Sequence, residues 1–188
     1  MLLWFVDNRA RERFFERGTI YLRTRVIQDN TVGSRSKIDH AYIAGFLDGD
    51  GSLMMQIKKR SDSRFGKRIM LTICFYQDSR HEHPLRWIRS ILGIGYISRR
   101  NDGMSELRMN GYAQVERVVA LLLPYLRFKK KQAQAILSAA RLLQRKDRYS
   151  ETVIRKLVDH IITVQSENYA TRKKRSREEL LSFFDLTP

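Results

Sequence analysis

Residues 43 to 52 read IAGFLDGDGS, an apolar run that stops at two aspartates, Asp48 and Asp50, with glycine between and after them. Carboxylates are hard oxygen donors, and the chemistry open to them here is the binding of a divalent cation such as Mg²⁺. The run has helical spacing: Ile43 and Leu47 share one face, while Ala41, Gly45 and Gly49 recur at every fourth position on another. A helix from about Asp39 to Gly49 puts the aspartates at its C-terminal end, where the dipole leaves partial negative charge. An unpaired carboxylate is unfavourable there, so Asp50 is assigned to a cation and Asp48 to capping or hydrogen bonding near the helix end. The stripe Ala41, Gly45, Gly49 has almost no side chain and lets two helices touch backbone to backbone; left open, it would expose an apolar patch around Phe46. If a second copy of the chain supplies the other helix, symmetry brings two Asp50 carboxylates to one spot, where they can share divalent metal ions.

Competing readings of these residues fail on spacing. A calcium loop starting at Asp48 would need Gly at its sixth position and Glu at its twelfth, where the sequence has Leu53 and Lys59. The stretch GIGYIS at 93–98 lacks the last glycine of a dinucleotide loop. His40, His81 and His83 have no zinc-ligand spacing, and the single cysteine, Cys74, has neither a disulfide partner nor metal-binding companions.

The charge balance points to the partner. Thirty-six Lys and Arg against twenty Asp and Glu give a formal charge of +16 and a pI near 10.4, which favours a polyanion, and nucleic acid over a membrane. No apolar run is long enough to span a bilayer, and Met1 to Val6 is too short for a signal peptide. A length of 188 residues with 43% apolar content suits one folded domain.

The elements that must position Asp50 can be read from periodicity. Residues 1–35 are read as a basic, weakly ordered extension carrying one helix around 8–16, and residues 36–188 as the domain. Strict alternation predicts a strand over 52–60 and another over 68–76, joined by SDSRFGK. A helix over 85–92 follows, then a second hairpin turning at Asn101, Asp102 and Gly103, then helices over 114–123, 129–145 and 151–167 and a last one opened by the capping box Ser176 to Glu179. The order is α, ββ, α, ββ, then helices: an α+β fold in which a small antiparallel sheet lays one apolar face on the helices. The other face presents Gln56, Lys58 and Arg60, then Arg68, Met70, Thr72 and Cys74, with Arg99 and Arg108 from the second hairpin. A polar two-stranded ribbon can enter a DNA major groove, where Gln pairs with adenine and Arg or Lys with guanine. Lys129, Lys130 and Lys131 open a helix at the end that disfavours cations, which a nearby phosphate would explain. The run RKKRSR at 172–177 reads as a nuclear address, a linker or a phosphate-contacting loop, of which the last is favoured.

IAGFLDGDGS resembles the LAGLIDADG motif of the homing endonucleases encoded in mobile introns. The resemblance runs from about Ser36 to the C-terminal helix, through the αββαββα order, Gln77 at the end of the second strand, the GIGYI segment and PYLRFKKKQA at 124–133. It implies a site-specific endonuclease that cuts double-stranded DNA at a long near-palindromic site with Mg²⁺, for which Mn²⁺ can substitute. Relatives with one motif act as homodimers, which implies partners limited to DNA and a second copy, with no membrane and no small-molecule substrate. Carried over by residue, it makes Asp50 with the Gly49 carbonyl the metal ligands. Gln77 and Lys129 become the polar residues around the metals, and Glu106 an acidic residue that orients a neighbouring basic group. The basic position four residues after Gln77 is His81, with Arg80 before it, and either fits the role. The implied location is intracellular: an organelle, chloroplast or mitochondrion, in a eukaryote, and the cytoplasm otherwise. An RNA-binding maturase that assists intron splicing and a non-catalytic DNA-binding protein on the same scaffold are the alternatives.

Overall fold

The computed structural model describes residues 4–6, 11–16, 19–24, 29–62, 65–168 and 174–187, with side chains described from Ser36 onward. The chain divides into two compact units, Met1–Ile38 and Asp39–Pro188. The first contains β1 (Trp4–Val6), β2 (Arg11–Glu16) and β3 (Thr19–Thr24), an antiparallel sheet in that order. A strand over Arg11–Glu16 thus replaces the expected helix over 8–16. The run TIYLRT is rich in β-branched and aromatic residues, and its pairing with RERFFE in the register Glu16↔Thr19 overrides the helical spacing of the latter.

Helix α1 (Asp29–Asp50) begins ten residues before the expected start at Asp39, and its last residue is Asp50. Strand β4 (Gly51–Lys59) follows at once. The abrupt change of direction requires Gly51, because a Cβ there would lie 2.4 Å from Leu47 Cδ1 and 2.8 Å from the Leu47 backbone. Strand β5 (Lys67–Asp78) pairs antiparallel with β4 from Lys59↔Lys67 to Gly51↔Phe75. A short 3-10 turn (Ser79–His81) leads to α2 (His83–Leu92), which opens on Pro84 and closes on left-handed Gly93. Strands β6 (Tyr96–Arg99) and β7 (Met104–Asn110) form the second hairpin, and β7 also pairs with β5. The two hairpins therefore make one four-stranded antiparallel sheet in the order β4-β5-β7-β6. Helices α3 (Tyr112–Leu122), α4 (Lys130–Leu143), α5 (Glu151–Ser166) and α6 (Arg177–Ser182) complete the unit. The capping box between Ser176 and Glu179 is present as the sequence predicts.

The alternation read from the strands holds on the inner face. Leu53 and Met55, then Ile69, Leu71, Ile73 and Phe75, then Leu107 and Met109, are all buried in one cluster with the apolar faces of α2 to α5. Ile43, Ala44 and Leu47 enter the same cluster from α1, each with no exposed surface, so the helix that ends in Asp50 is fixed by its own core. Among the described residues, no helix is long and apolar enough to cross a membrane.

Candidate functional site

Asp50 sits exposed on the last residue of α1, one position before the sheet begins. Asp48, two residues earlier, points the other way and is 9% exposed. Its Oδ2 accepts from the backbone N–H of Arg127 at 2.7 Å and of Phe128 at 3.2 Å, and its Oδ1 from Lys129 at 2.9 Å. Asp48 is thus an anchor that ties the turn before α4 to the end of α1, the hydrogen-bonding role expected of it. In return Lys129 Nζ donates to the Asp48 carbonyl oxygen. Burial pushes the Lys129 ammonium below its ordinary value, against the opposing pull of Asp48 and Asp50. Asp48 and Lys129 line a cleft of about 540 Å³ together with Gly49, Ser52, Phe128, Gln132 and Glu167.

The donor set suits a hard cation only in part. Asp50 is an exposed carboxylate flanked by C-terminal helix carbonyls, which are oxygen ligands. Among the described residues no three His, Cys, Asp or Glu side chains converge, so one chain supplies a fragment of a metal site. The other ligands of an ion at Asp50 would have to come from water, a phosphate or another chain.

Gly45 and Gly49 differ from Gly51: a Cβ at either meets nothing within 4 Å. Nothing in the chain's own packing demands glycine there. Ala41 is also exposed on this side of α1, and beside it Tyr42 is 62% exposed, one edge of its packing being Trp87. Phe46, expected to be the apolar residue of this surface, is half-buried and turned onto Phe75, with ring centroids 6.1 Å apart. Tyr42 takes its place as the exposed aromatic group.

Gln77 is the penultimate residue of β5, its Oε1 accepting from the Asp78 N–H at 2.9 Å. In the turn beyond it, Arg80 donates to Asp78 through Nε at 3.0 Å and a terminal nitrogen at 2.7 Å, which holds the Asp78 carboxyl well below the usual range. His81 is exposed and, among the described residues, its side chain has no hydrogen-bond partner.

The outer sheet face departs from expectation in the middle. Thr72 and Cys74, expected to face DNA, are fully buried. They lie on an interior strand, where neighbours close over them: Thr72 Oγ1 donates to Asn110 at 2.7 Å, and Cys74, opposite Ser52 and Arg108, has Tyr76 beside it. Burial pushes the Cys74 thiol up. Around this patch, Gln56, Lys58, Arg60, Arg68, Met70, Arg99 and Arg108 keep part or all of their surface. Several arginines are already held within the chain. Arg60 forks onto Asp62, and Arg108 onto Glu106 at 3.0 and 3.1 Å, the orientation of a basic neighbour that was expected of Glu106. Arg99 donates to Glu82 at 3.1 and 3.4 Å.

Glu82 was not singled out from sequence. It is 8% exposed, accepts from Arg99, Ser105 and Arg86, and these donors hold its carboxyl at about 2. Ser105 in turn meets Ser79 at 2.9 Å, and the Ser79 N–H donates to the Gly103 carbonyl, tying the turn after Gln77 to the second hairpin. The one available signal is an acidic residue just before the His-Pro start of a helix. Lys130 and Lys131 are exposed at the start of α4, Lys131 3.3 Å from Glu167. The run at 172–177 lies partly outside the described residues.

Fold and site together define an α+β protein of the homing-endonuclease type: a helix-backed antiparallel sheet with a carboxylate-bearing helix end at its rim. The crystal structure of the homing endonuclease I-CvuI, in complex with the I-CreI target in the presence of Mg, superposes with a TM-score of 0.73 at 26% identity, covering 80% of this chain and 95% of that one. The archaeal intron-encoded homing endonuclease I-Vdi141I, complexed with DNA, shares the fold at a TM-score of 0.70 and 21% identity over 79% and 95% of the two chains. The chain belongs to the LAGLIDADG endonuclease family, whose model matches residues 43–139. It is 34% identical over 107 residues to the DNA endonuclease I-CvuI of Chlorella vulgaris, 57% of this chain and 66% of that protein. To the DNA endonuclease I-CreI of Chlamydomonas reinhardtii it is 31% identical over 96 residues, 51% of this chain and 58% of that protein. The aligned segments thus span less than two thirds of either relative.

Proposed function

We propose that the protein is a Mg²⁺-dependent, site-specific endonuclease that cuts both strands of a long, near-palindromic DNA target as a homodimer. The observation that carries this reading is the end of α1. An exposed Asp50 directly follows Gly49, which, like Gly45 one turn earlier, only an outside neighbour can require. Two copies paired along that stripe would bring two carboxylates together. Asp50 and the Gly49 carbonyl would hold a divalent ion, which when bound supplies Lewis-acid polarisation of a phosphate and activation of water.

The chain's own residues do the rest. Lys129, fixed by Asp48 at both its backbone N–H and its ammonium, places a positive charge beside Asp50, where charge develops on the leaving oxygen. Gln77 offers an amide at the strand end to orient an attacking water. His81 is favoured over Arg80 for the neighbouring basic role, because the Arg80 charge is already matched by Asp78. The outer sheet face reads base edges, while Lys130 and Lys131 meet phosphates irrespective of sequence. The activities of the two DNA endonucleases it resembles, and the DNA-bound structures that share its fold, support the reading.

The test is selection of cleaved sites from a random duplex library with Mg²⁺, repeated with Asp50→Asn. The wild-type protein should yield one near-palindromic site. The variant keeps the side-chain size but loses the anionic ligand, so it should bind that site with unimpaired affinity and leave it uncut. Substantial cutting by the variant would remove Asp50 from the mechanism.

A further inference from the structure

Tyr112, the first residue of α3, belongs to none of the site residues above, yet its hydroxyl lies 2.7 Å from the Ile69 carbonyl oxygen and 3.2 Å from Arg68 Nε. The direction of both bonds is forced. A phenol has one proton and a carbonyl can only accept, so the hydroxyl donates to Ile69 and its lone pair receives the Arg68 Nε–H. The guanidinium carbon also stands 5.2 Å from the centre of the Tyr112 ring, within cation–π range. Arg68 is therefore fixed at its inner corner and along one side. Among the described residues, its two terminal nitrogens have no hydrogen-bond partner. Arg68 lines a shallow concavity of about 240 Å³ with Lys58, Arg60, Met70, Asn110 and Tyr112.

The contrast with the neighbouring arginines lies in charge. Arg60, Arg99 and Arg108 each direct Nε at a carboxylate, of Asp62, Glu82 and Glu106, which locally cancels them. Arg68 is held by a neutral phenol, so it is oriented with no carboxylate bonded to it, Asp62 acting on it only through space. The terminal edge of a guanidinium is the group that pairs bidentately with O6 and N7 of guanine.

We propose that Tyr112 is a positioning residue that sets sequence specificity, presenting Arg68 as a fixed fork with no carboxylate bonded to it, to one guanine in each half-site. This rests on the endonuclease reading. Freezing the fork before DNA arrives removes part of the ordering cost of binding, and it penalises every base whose edge does not match.

Tyr112→Phe tests this by deleting one oxygen while keeping the ring. Affinity of the full-length wild type, Tyr112→Phe and Arg68→Ala is measured on the selected duplex and on the three alternatives at the base pair where Arg68→Ala loses preference, across a salt series in Ca²⁺. Arg68→Ala should lose preference there and flatten the salt dependence, because a cation has gone. Tyr112→Phe should lose roughly three- to tenfold of the preference for guanine, the worth of one fixing hydrogen bond, with the salt slope unchanged because the charge remains. Preference undiminished in Tyr112→Phe would overturn the proposal alone, as would an equal loss on all four bases, which is what a merely structural residue produces. A wild-type protein with no preference among duplexes would overturn the endonuclease reading and this proposal together.

Discussion

Asp48→Ala measures how firmly the end of α1 holds the turn that carries Lys129. The substitution removes three hydrogen bonds from backbone N–H groups at 2.7, 3.2 and 2.9 Å to one ionised acceptor. Bonds to a charged group contribute about 1.5 to 3 kcal/mol each, so independent losses would total roughly 5 to 9 kcal/mol. Arg127 and Phe128 are exposed, however, and water can reach their N–H groups once the carboxylate is gone. A loss of about 3 to 5 kcal/mol is therefore expected, a large share of the roughly 5 to 15 kcal/mol of a typical fold. Urea unfolding at fixed protein concentration reads it as a lower midpoint at constant slope. Asp48→Asn should fall between, since one amide oxygen still accepts while the NH₂ faces a donor. A loss below about 1 kcal/mol for the alanine variant would mean that the carboxylate is not what holds the turn, and the link from Asp48 to Lys129 would have to be abandoned. Cleavage should fall further than DNA binding, because the residue displaced is Lys129 rather than the sheet.

Two other substitutions separate the remaining claims. Gly45→Leu adds a side chain where the chain itself has open space, so it should leave a folded monomer by light scattering, and a dimer of unchanged activity would refute the proposed pairing along α1. Glu82→Gln addresses acid stability: the folded carboxyl titrates at about 2, below its ordinary 4.5, so its stabilisation is present above pH 4.5 and lost as pH falls from there through 2. The wild-type advantage in melting temperature over Glu82→Gln should accordingly close across that window; an advantage that persists below pH 2 would show that Glu82 acts through packing instead.

What the sequence made legible follows physical lines. The C-terminal part of α1, both hairpins and the inner sheet face could be read because each is encoded by local period, and Ile69, Leu71, Ile73 and Phe75 are all buried as the alternation requires. The same alternation misled at Thr72 and Cys74. Parity tells which face of a strand a residue occupies, and long side chains on adjacent strands decide whether that face meets water. Strand β2 was missed because RERFFE has no clean period of two and takes its form from pairing with β3. The roles of Glu82 and Tyr112 depend on partners 17 to 44 positions away, which no local pattern encodes. Asp50, Gln77 and Lys129 were reached through family resemblance. For Asp50 the unfavourable helix end gave an independent physical reason.

The bare stripe of Ala41, Gly45 and Gly49 has a consequence for how target preference can change. If two copies pair along it, as proposed, they read the same letters twice, once in each half-site. A substitution that costs about 1.4 kcal/mol at one base pair then costs about 2.8 on the full palindrome, a hundredfold loss where a monomeric reader would suffer tenfold. A matching change in one half of the target recovers only half of that. The reading surface of such a dimer is under doubled selection at every position, and a new target becomes accessible to it only when both halves have changed.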